Sequence, residues 1–312
     1  MQEKNIGKSG LRVSVVGLGC NNFGARLDFA GSKAVVHKAL DEGVTLFDTA
    51  DMYGNRGGSE SALGEILGAR RKDIVLATKF GYSMDDTGRM KGGSRRYVVT
   101  AVEASLKRLK TDWIDLYQFH FPDPNTPIEE TLRALDDLIH QGKVRYVGCS
   151  NQAPWAVVEA MWTAKTEGLN PFISCQDEYS LLFRKPEAEL VPVAKSYGLG
   201  LLPYYPLASG LLTGKHKHGA APKAGSRFAT TEMYVNRYMN DKNWQRIAKL
   251  ETFASERGHS LLELAFSWLA HRPVVPSVIA GAMSPEQVAM NVKAASWALS
   301  AEEISEIDQI TA

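Results

Sequence analysis

The sequence predicts a (β/α)8 barrel, the TIM-barrel architecture of the α/β class, preceded by a β-hairpin and followed by one extra helix. Three observations carry this expectation. Eight short apolar runs alternate with amphipathic segments of helical length. The runs are continuously apolar, as parallel strands covered on both faces require. The glycine signature of the competing doubly wound sheet is incomplete: Gly17-Leu18-Gly19 follows a strand, but the next glycine is Gly24, so G-x-G-x-x-G fails.

A turn over 7–10, with a glycine at each end, reads as a small hairpin. The eight strand-like runs follow at 13–18, 45–47, 74–78, 114–119, 144–148, 172–175, 200–203 and 275–279. Among the intervening helices, 95–109 sets Val98, Val102, Leu106 and Leu109 on one stripe with basic residues opposite. Three helix starts are signalled by a hydroxyl N-cap followed by an acidic or amide residue: Thr126-Pro127-Ile128-Glu129, Ser284-Pro285-Glu286-Gln287 and Ser300-Ala301-Glu302-Glu303. The last opens a terminal helix over 300–310, outside the repeat. Two connections, 80–94 and 205–240, exceed the roughly 2–6 residues typical of α/β loops. In a barrel both emerge at the C-terminal face, where active sites sit. The chain is expected to be one barrel domain over 1–312.

Composition narrows the partners. The chain has 36 Lys+Arg against 35 Asp+Glu, a formal charge of +1, with 23% charged and 44% hydrophobic residues. Such balance disfavours a phosphate-backbone binder, so no nucleic acid is expected. Apolar stretches such as 261–270 fall short of the roughly 20 residues that span a bilayer, so no membrane is expected either. The N-terminus lacks a charged region leading into an apolar one, and the three separated cysteines, Cys20, Cys149 and Cys175, fit a reducing compartment. A cytoplasmic protein is the expectation, and a homo-oligomer is compatible with it. His216 and His218, two apart without a carboxylate or thiol partner, make a poor metal site, so none is expected. Cys149 and Cys175, on alternate strands, read as small buried apolar residues.

The ends of the predicted strands carry the chemistry. Asp48 follows the second strand, with Tyr53 in the loop beyond it; Lys79 ends the third and His120 the fourth. Singly, each has a plainer reading: a turn cap, loop packing, a solvated lysine, a core histidine. Together they converge on one barrel mouth, and a Lys79 flanked by Thr78 and Phe80 is partly desolvated and needs the carboxylate of Asp48. Phe121, Phe23, Met52 and Tyr82 read as either an apolar substrate wall or core.

The segments FDTADMYG (47–54), ATKFG (77–81), LYQFHFPD (116–123), GCSN (148–151), YYPLASGLLTGK (204–215) and PEQ (285–287) resemble the aldo-keto reductase superfamily, over essentially the whole chain. The resemblance implies a nicotinamide-dependent carbonyl reductase with the tetrad Asp48, Tyr53, Lys79 and His120. Tyr53 would be the general acid, its pKa lowered from about 10 by Lys79. Asp48 would hold Lys79, and His120 would orient the carbonyl oxygen. Tyr53, His120 and Phe121 would contact a small carbonyl or alcohol substrate.

For the coenzyme, the resemblance implies Gly19, Cys20, Asn21 and Asp48 near the tetrad, and Ser150, Asn151 and Gln176 on the carboxamide. Tyr204, with Tyr205 as the alternative, would stack on the nicotinamide. Pro206, Leu207, Ser209 and Gly210 would face the pyrophosphate, with Lys215 and Arg227 as clasping cations in a loop that closes over it. Gly281, Met283, Gln287 and Asn291 would hold the adenosine end. Family members selective for NADP carry Lys and Arg where Gly281 and Gln287 stand, yet relatives with this G-A-x-x-P-E-Q form often use NADP. NADP is therefore expected, with NAD the alternative. Potassium-channel β subunits share the fold and motifs, so a coenzyme-binding regulatory subunit with little turnover is the competing reading; those proteins carry an added N-terminal segment.

Overall fold

A computed structural model describes residues 1–312. A two-stranded antiparallel hairpin, β1 (Glu3–Asn5) and β2 (Arg12–Ser14), comes first. Eight parallel strands follow: β3 (Val16–Gly19), β4 (Leu46–Asp48), β5 (Val75–Phe80), β6 (Ile114–Phe119), β7 (Val144–Ser150), β8 (Ser174–Glu178), β9 (Gly200–Tyr204) and β10 (Val278–Gly281). They pair in the order β10-β3-β4-β5-β6-β7-β8-β9. Across the remaining seam the Leu201 N–H donates to the Val274 carbonyl at 2.7 Å, beside β10. Helices cover the outside, and the expected (β/α)8 barrel is present.

The first predicted run, 13–18, is divided: its start belongs to β2 and its end to β3. The break is mechanical. Ser14 and Thr45 exchange hydrogen bonds, each backbone N–H donating to the other's hydroxyl at 2.8 and 2.9 Å, which turns the chain from hairpin into barrel. Strand β8 runs three residues beyond its predicted end because Gln176, Asp177 and Glu178 look like loop in sequence, and β10 runs two beyond, through Ala280 and Gly281. Cys149 and Cys175, expected on alternate strands, are register partners on the neighbouring β7 and β8.

Two apolar layers result from alternation along the strands. One lies between sheet and helices and is continuous around the barrel. The other fills the barrel interior, where Leu46, Ala77, Leu116, Leu202 and Ile279 pack beneath Ile6 and Val13 of the hairpin. Both hairpin residues are fully buried, so the hairpin corks the end opposite the mouth.

Helix Arg95–Leu109 buries Val98, Val102, Leu106 and Leu109 as the stripe required. At Ile128–His140 the cap differs from expectation. Pro127 is the N-cap and no side chain caps it, because the Thr126 hydroxyl donates instead to Asp123 Oδ2 at 2.7 Å. At Pro285–Ala294 the Ser284 hydroxyl accepts from the Gln287 N–H, but Gln287 Oε1 accepts from the Met283 N–H, so the box is not reciprocal. The terminal helix Ala301–Thr311 does have a reciprocal box, between Ser300 and Glu303. It is fastened to the barrel by Asp308, which accepts from Trp268 Nε1 at 2.9 Å and pairs with Arg184 and Arg272.

Segment 205–240, expected as a long loop, folds into three short helical pieces, Ala208–Thr213, Arg227–Thr230 and Glu232–Tyr238. The last of them is anchored by Glu178 at the end of β8, which accepts from both Arg237 and Tyr238. No helix is long and apolar enough to cross a membrane.

Asp177 on β8 lies on the side of the strand that carries Cys175, and burial raises its carboxyl to about 8. Its Oδ2 has no hydrogen-bond partner. An acid whose folded pKa is raised contributes stability that is fully present below its unfolded value of 3.8 and is lost progressively as pH rises from there to about 8. Asp177→Asn is therefore expected to leave the melting temperature nearly unchanged below pH 3.8 and to raise it relative to wild type by an amount that grows with pH and levels off above about 8. Thermal unfolding across pH checks this.

Candidate active site

At the C-terminal end of the barrel, consecutive strands deliver polar groups to one point. Asp48 ends β4, Lys79 is the next-to-last residue of β5, and His120 follows β6. Lys79 is fully buried and its ammonium is saturated. It donates to Asp48 Oδ2 at 2.7 Å, to the Thr49 carbonyl at 2.8 Å and to the Tyr53 hydroxyl at 3.5 Å. The other Asp48 oxygen accepts from Gln176 Nε2 at 2.9 Å and from Gln118 Nε2 at 3.2 Å. The carboxylate thus has fixed donors on both oxygens.

Tyr53 is presented by an unusual turn. Residues 54–57 all have positive φ, between 58° and 113°, before the regular helix continues. At Gly54 a side chain would meet the Phe23 carbonyl at 2.5 Å and the Ser59 N–H at 2.6 Å, so only glycine fits. The ring of Tyr53 stands edge-on to His120, centroids 5.8 Å apart. Behind it the Thr49 and Ser59 hydroxyls share a 2.8 Å hydrogen bond, and Ser59 donates to the Cys20 carbonyl. The strand ends are therefore tied to one another.

Burial opposes the charge on Lys79, but the Asp48 carboxylate and the Tyr53 hydroxyl outweigh it, holding the lysine above its ordinary range. Burial raises Tyr53; the adjacent ammonium pulls it back without overcoming that effect, so the phenol lies above its ordinary value. A lowered Tyr53 was expected. The difference arises because burial of the phenol outweighs the Lys79 field, with the Asp48 carboxylate opposing that field as well. Burial, then Lys79, holds His120 well below the usual histidine range, so its ring is neutral. Its Nδ1 is buried without a partner.

These groups form the floor of a cavity of about 1050 Å³. Every residue expected to hold coenzyme lines it: Gly19, Cys20, Asn21, Asp48, Ser150, Asn151, Gln176, Tyr204, Pro206, Leu207, Ser209, Gly210, Lys215, Arg227, Gly281, Met283, Gln287 and Asn291. Tyr53, His120, Phe121, Met52 and Tyr82 line it as well, whereas Phe23 is buried in the core and Lys79 lies behind the floor. His216 and His218 are apart: His216 packs on Phe228 and His218 on Trp244. Sequence reasoning missed Gln118, which points into the barrel as a second amide on Asp48. It also missed Arg26 and Lys223, whose only signal was a positive charge in a mouth loop.

The cavity fits a long anion. Arg26, Lys215, Lys223 and Arg227 all line it. Burial lowers Lys215, and Lys223, Arg227 and Arg26 lower it further by repulsion. Arg26 donates to the Gly225 carbonyl at 2.9 Å and Arg227 to Asn21 Oδ1 at 3.5 Å, so two mouth loops meet through cations that lack carboxylate partners. The buried Ser209 hydroxyl is unpartnered, and Tyr205, Ala208, Ser209 and Gly210 all have positive φ. The Ala208 and Gly210 N–H groups donate to the Tyr205 and Leu207 carbonyls at 2.9 and 2.8 Å, so this turn is closed on itself and leaves the Ser209 hydroxyl free toward the cavity. Asn151, by contrast, is engaged: it donates to the His120 carbonyl and accepts from the Tyr204 hydroxyl at 2.8 Å. Tyr204 meets Tyr205 edge-on, and Arg227 lies over the Tyr205 ring.

Residues 15–312 match the family model described as "Aldo/keto reductase family". The chain is 42% identical over 305 residues to an Oryza sativa subsp. japonica protein named "Probable voltage-gated potassium channel subunit beta", covering 94% of this chain and 91% of that one. It is 35% identical to an uncharacterised oxidoreductase of Bacillus subtilis, covering 99% and 96% of the two chains. Identity to an Escherichia coli O157:H7 protein named "L-glyceraldehyde 3-phosphate reductase" is 34%, covering 99% and 92%. With the barrel, the strand-end groups and these matches in agreement, the chain belongs to the aldo/keto reductase family.

Proposed function

We propose that the protein is a nicotinamide-dependent oxidoreductase, one barrel domain over 1–312, that reduces an aldehyde or ketone to an alcohol or runs the reverse reaction on an alcohol or sugar lactol. The observation that carries this reading is the buried ammonium of Lys79 between Asp48 and the Tyr53 hydroxyl, at the floor of a cavity whose other end is cationic. When bound, the coenzyme supplies the hydride that adds to the carbonyl carbon.

The chain's own groups handle the oxygen. Neutral His120 orients it by hydrogen bonding, an electrostatic role without proton storage. Tyr53 Oη donates its proton to the oxygen as negative charge develops there, and Lys79 stabilises the phenolate left behind. Asp48, fixed by Gln118 and Gln176, keeps Lys79 charged and in place. Phe121, Tyr82 and Met52 form the apolar side of the substrate space.

At the cationic end, Lys215 and Arg227 with Arg26 and Lys223 take the phosphates, Ser209 and the 205–210 backbone the pyrophosphate. Ser150, Asn151 and Gln176 take the carboxamide, Tyr204 or Tyr205 the ring face, and Gly281, Met283, Gln287 and Asn291 the adenosine end. Four cations favour NADP over NAD. The identity to a protein named as a channel β subunit favours a second reading, a coenzyme-binding regulatory subunit with little turnover. Following loss of reduced-coenzyme absorbance over aldehydes, ketones and sugars separates the two; turnover with none of them, while coenzyme still binds, selects the second.

Tyr53→Phe is expected to lower kcat/KM for carbonyl reduction by about 10²–10⁴-fold with coenzyme affinity unchanged, read by steady-state kinetics and fluorescence titration. Because the donor must be protonated, reduction is expected to be present below the pKa of Tyr53 and lost as pH rises through it, above the ordinary tyrosine value, while alcohol oxidation rises. The pH profiles of kcat/KM in both directions check the sign. Lys215→Ala and Arg227→Ala are expected to raise KM for NADPH more than for NADH, with little change in kcat.

A further inference from the structure

Outside the mouth, large apolar side chains are exposed singly, with one exception. Helix Pro154–Glu167 buries Val157, Ala160 and Ala164 against the barrel. Its opposite stripe carries Trp155, 71% exposed, and Trp162, 51% exposed, two turns apart. Indoles are costly to leave in water and are the side chains most enriched at the centres of protein interfaces. Trp162 is also held ready. Its Nε1 donates to the Tyr197 hydroxyl at 2.8 Å, and the Lys165 ammonium lies 4.7 Å from its ring centroid.

The charges around Trp162 have a simple symmetry. Glu159 stands three residues before it and Lys165 three after, both exposed. Neither forms an ion pair within the chain, although nearby Arg133 is paired with both Glu129 and Glu167. If two copies of this helix lie antiparallel with Trp162 at the two-fold axis, each residue faces the one equally far beyond the axis in the other copy. Glu159 then meets Lys165 reciprocally, twice, and the two exposed Trp155 rings flank the contact at its two ends. A self-complementary patch is what a two-fold interface demands.

We propose that this helix face docks a second copy of the chain, forming an isologous dimer centred on Trp162. The helix starts directly after β7, so its N-terminus lies toward the mouth. Antiparallel pairing therefore directs the two mouths to opposite ends and covers neither. Dimerisation is independent of the catalytic reading.

Sedimentation velocity and light scattering across the micromolar range test it. The wild-type protein is expected at twice 34.3 kDa. Trp162→Asp and Trp155→Ser, checked for native circular dichroism, are expected to be monomeric. Glu159→Lys or Lys165→Glu alone places like charges opposite at both reciprocal positions and is expected to weaken the dimer about tenfold. The double variant Glu159→Lys/Lys165→Glu is expected to restore wild-type affinity. A wild-type monomer throughout the range, an oligomer indifferent to the tryptophan variants, or a double variant no tighter than the singles overturns the proposal.

Discussion

The mouth of this barrel depends on one buried cation. An ammonium with no exposure to water is tolerable only if each of its protons is donated and its charge is met. Lys79 satisfies both conditions through Asp48, the Thr49 carbonyl and Tyr53. The demand spreads outward. Asp48 must stay ionised, so two amides from strands on either side of β7, Gln118 on β6 and Gln176 on β8, hold its second oxygen. Tyr53 must reach inward, so the chain after it takes a left-handed path that needs Gly54. Strand register, turn chemistry and electrostatics are consequences of placing this one charge.

The same arrangement sets what each partner can do. The lysine field is divided between a carboxylate and a phenol, so it stabilises a phenolate without creating one in the resting site. His120, next to the same cation and away from solvent, has no means of becoming charged and offers a neutral ring. The floor of the cavity is thus close to electroneutral, and the uncompensated positive charge lies at the other end, on Arg26, Lys215, Lys223 and Arg227. A chain with a formal charge of only +1 overall still concentrates cations where two mouth loops meet.

Much of this was legible in the sequence because buried parallel strands announce themselves as apolar runs, and the residue after each run is placed by geometry alone. Asp48, Lys79 and His120 could be located on those grounds. Three features escaped for physical reasons. Gln118 lies inside a strand, where an amide carries no signal until the opposing Asp48 is seen. The helices within 205–240 are too short to show periodicity, and the last is held by Glu178, a contact distant in sequence. The cap at Thr126 failed because its hydroxyl had a better partner in Asp123, three residues earlier. The direction of the Tyr53 shift is not legible in sequence because its largest cause is burial, which outweighs the neighbouring Lys79 charge.

The hairpin has a consequence for traffic. With Ile6 and Val13 packed into the interior, the barrel is a vessel stoppered at its base. Everything that reaches Tyr53 enters at the mouth, between segment 20–28, which follows β3, and the connections 80–94 and 205–240, and leaves by the same opening. A fold detail at the far end of the barrel thus leaves the mouth as the one approach to the tetrad.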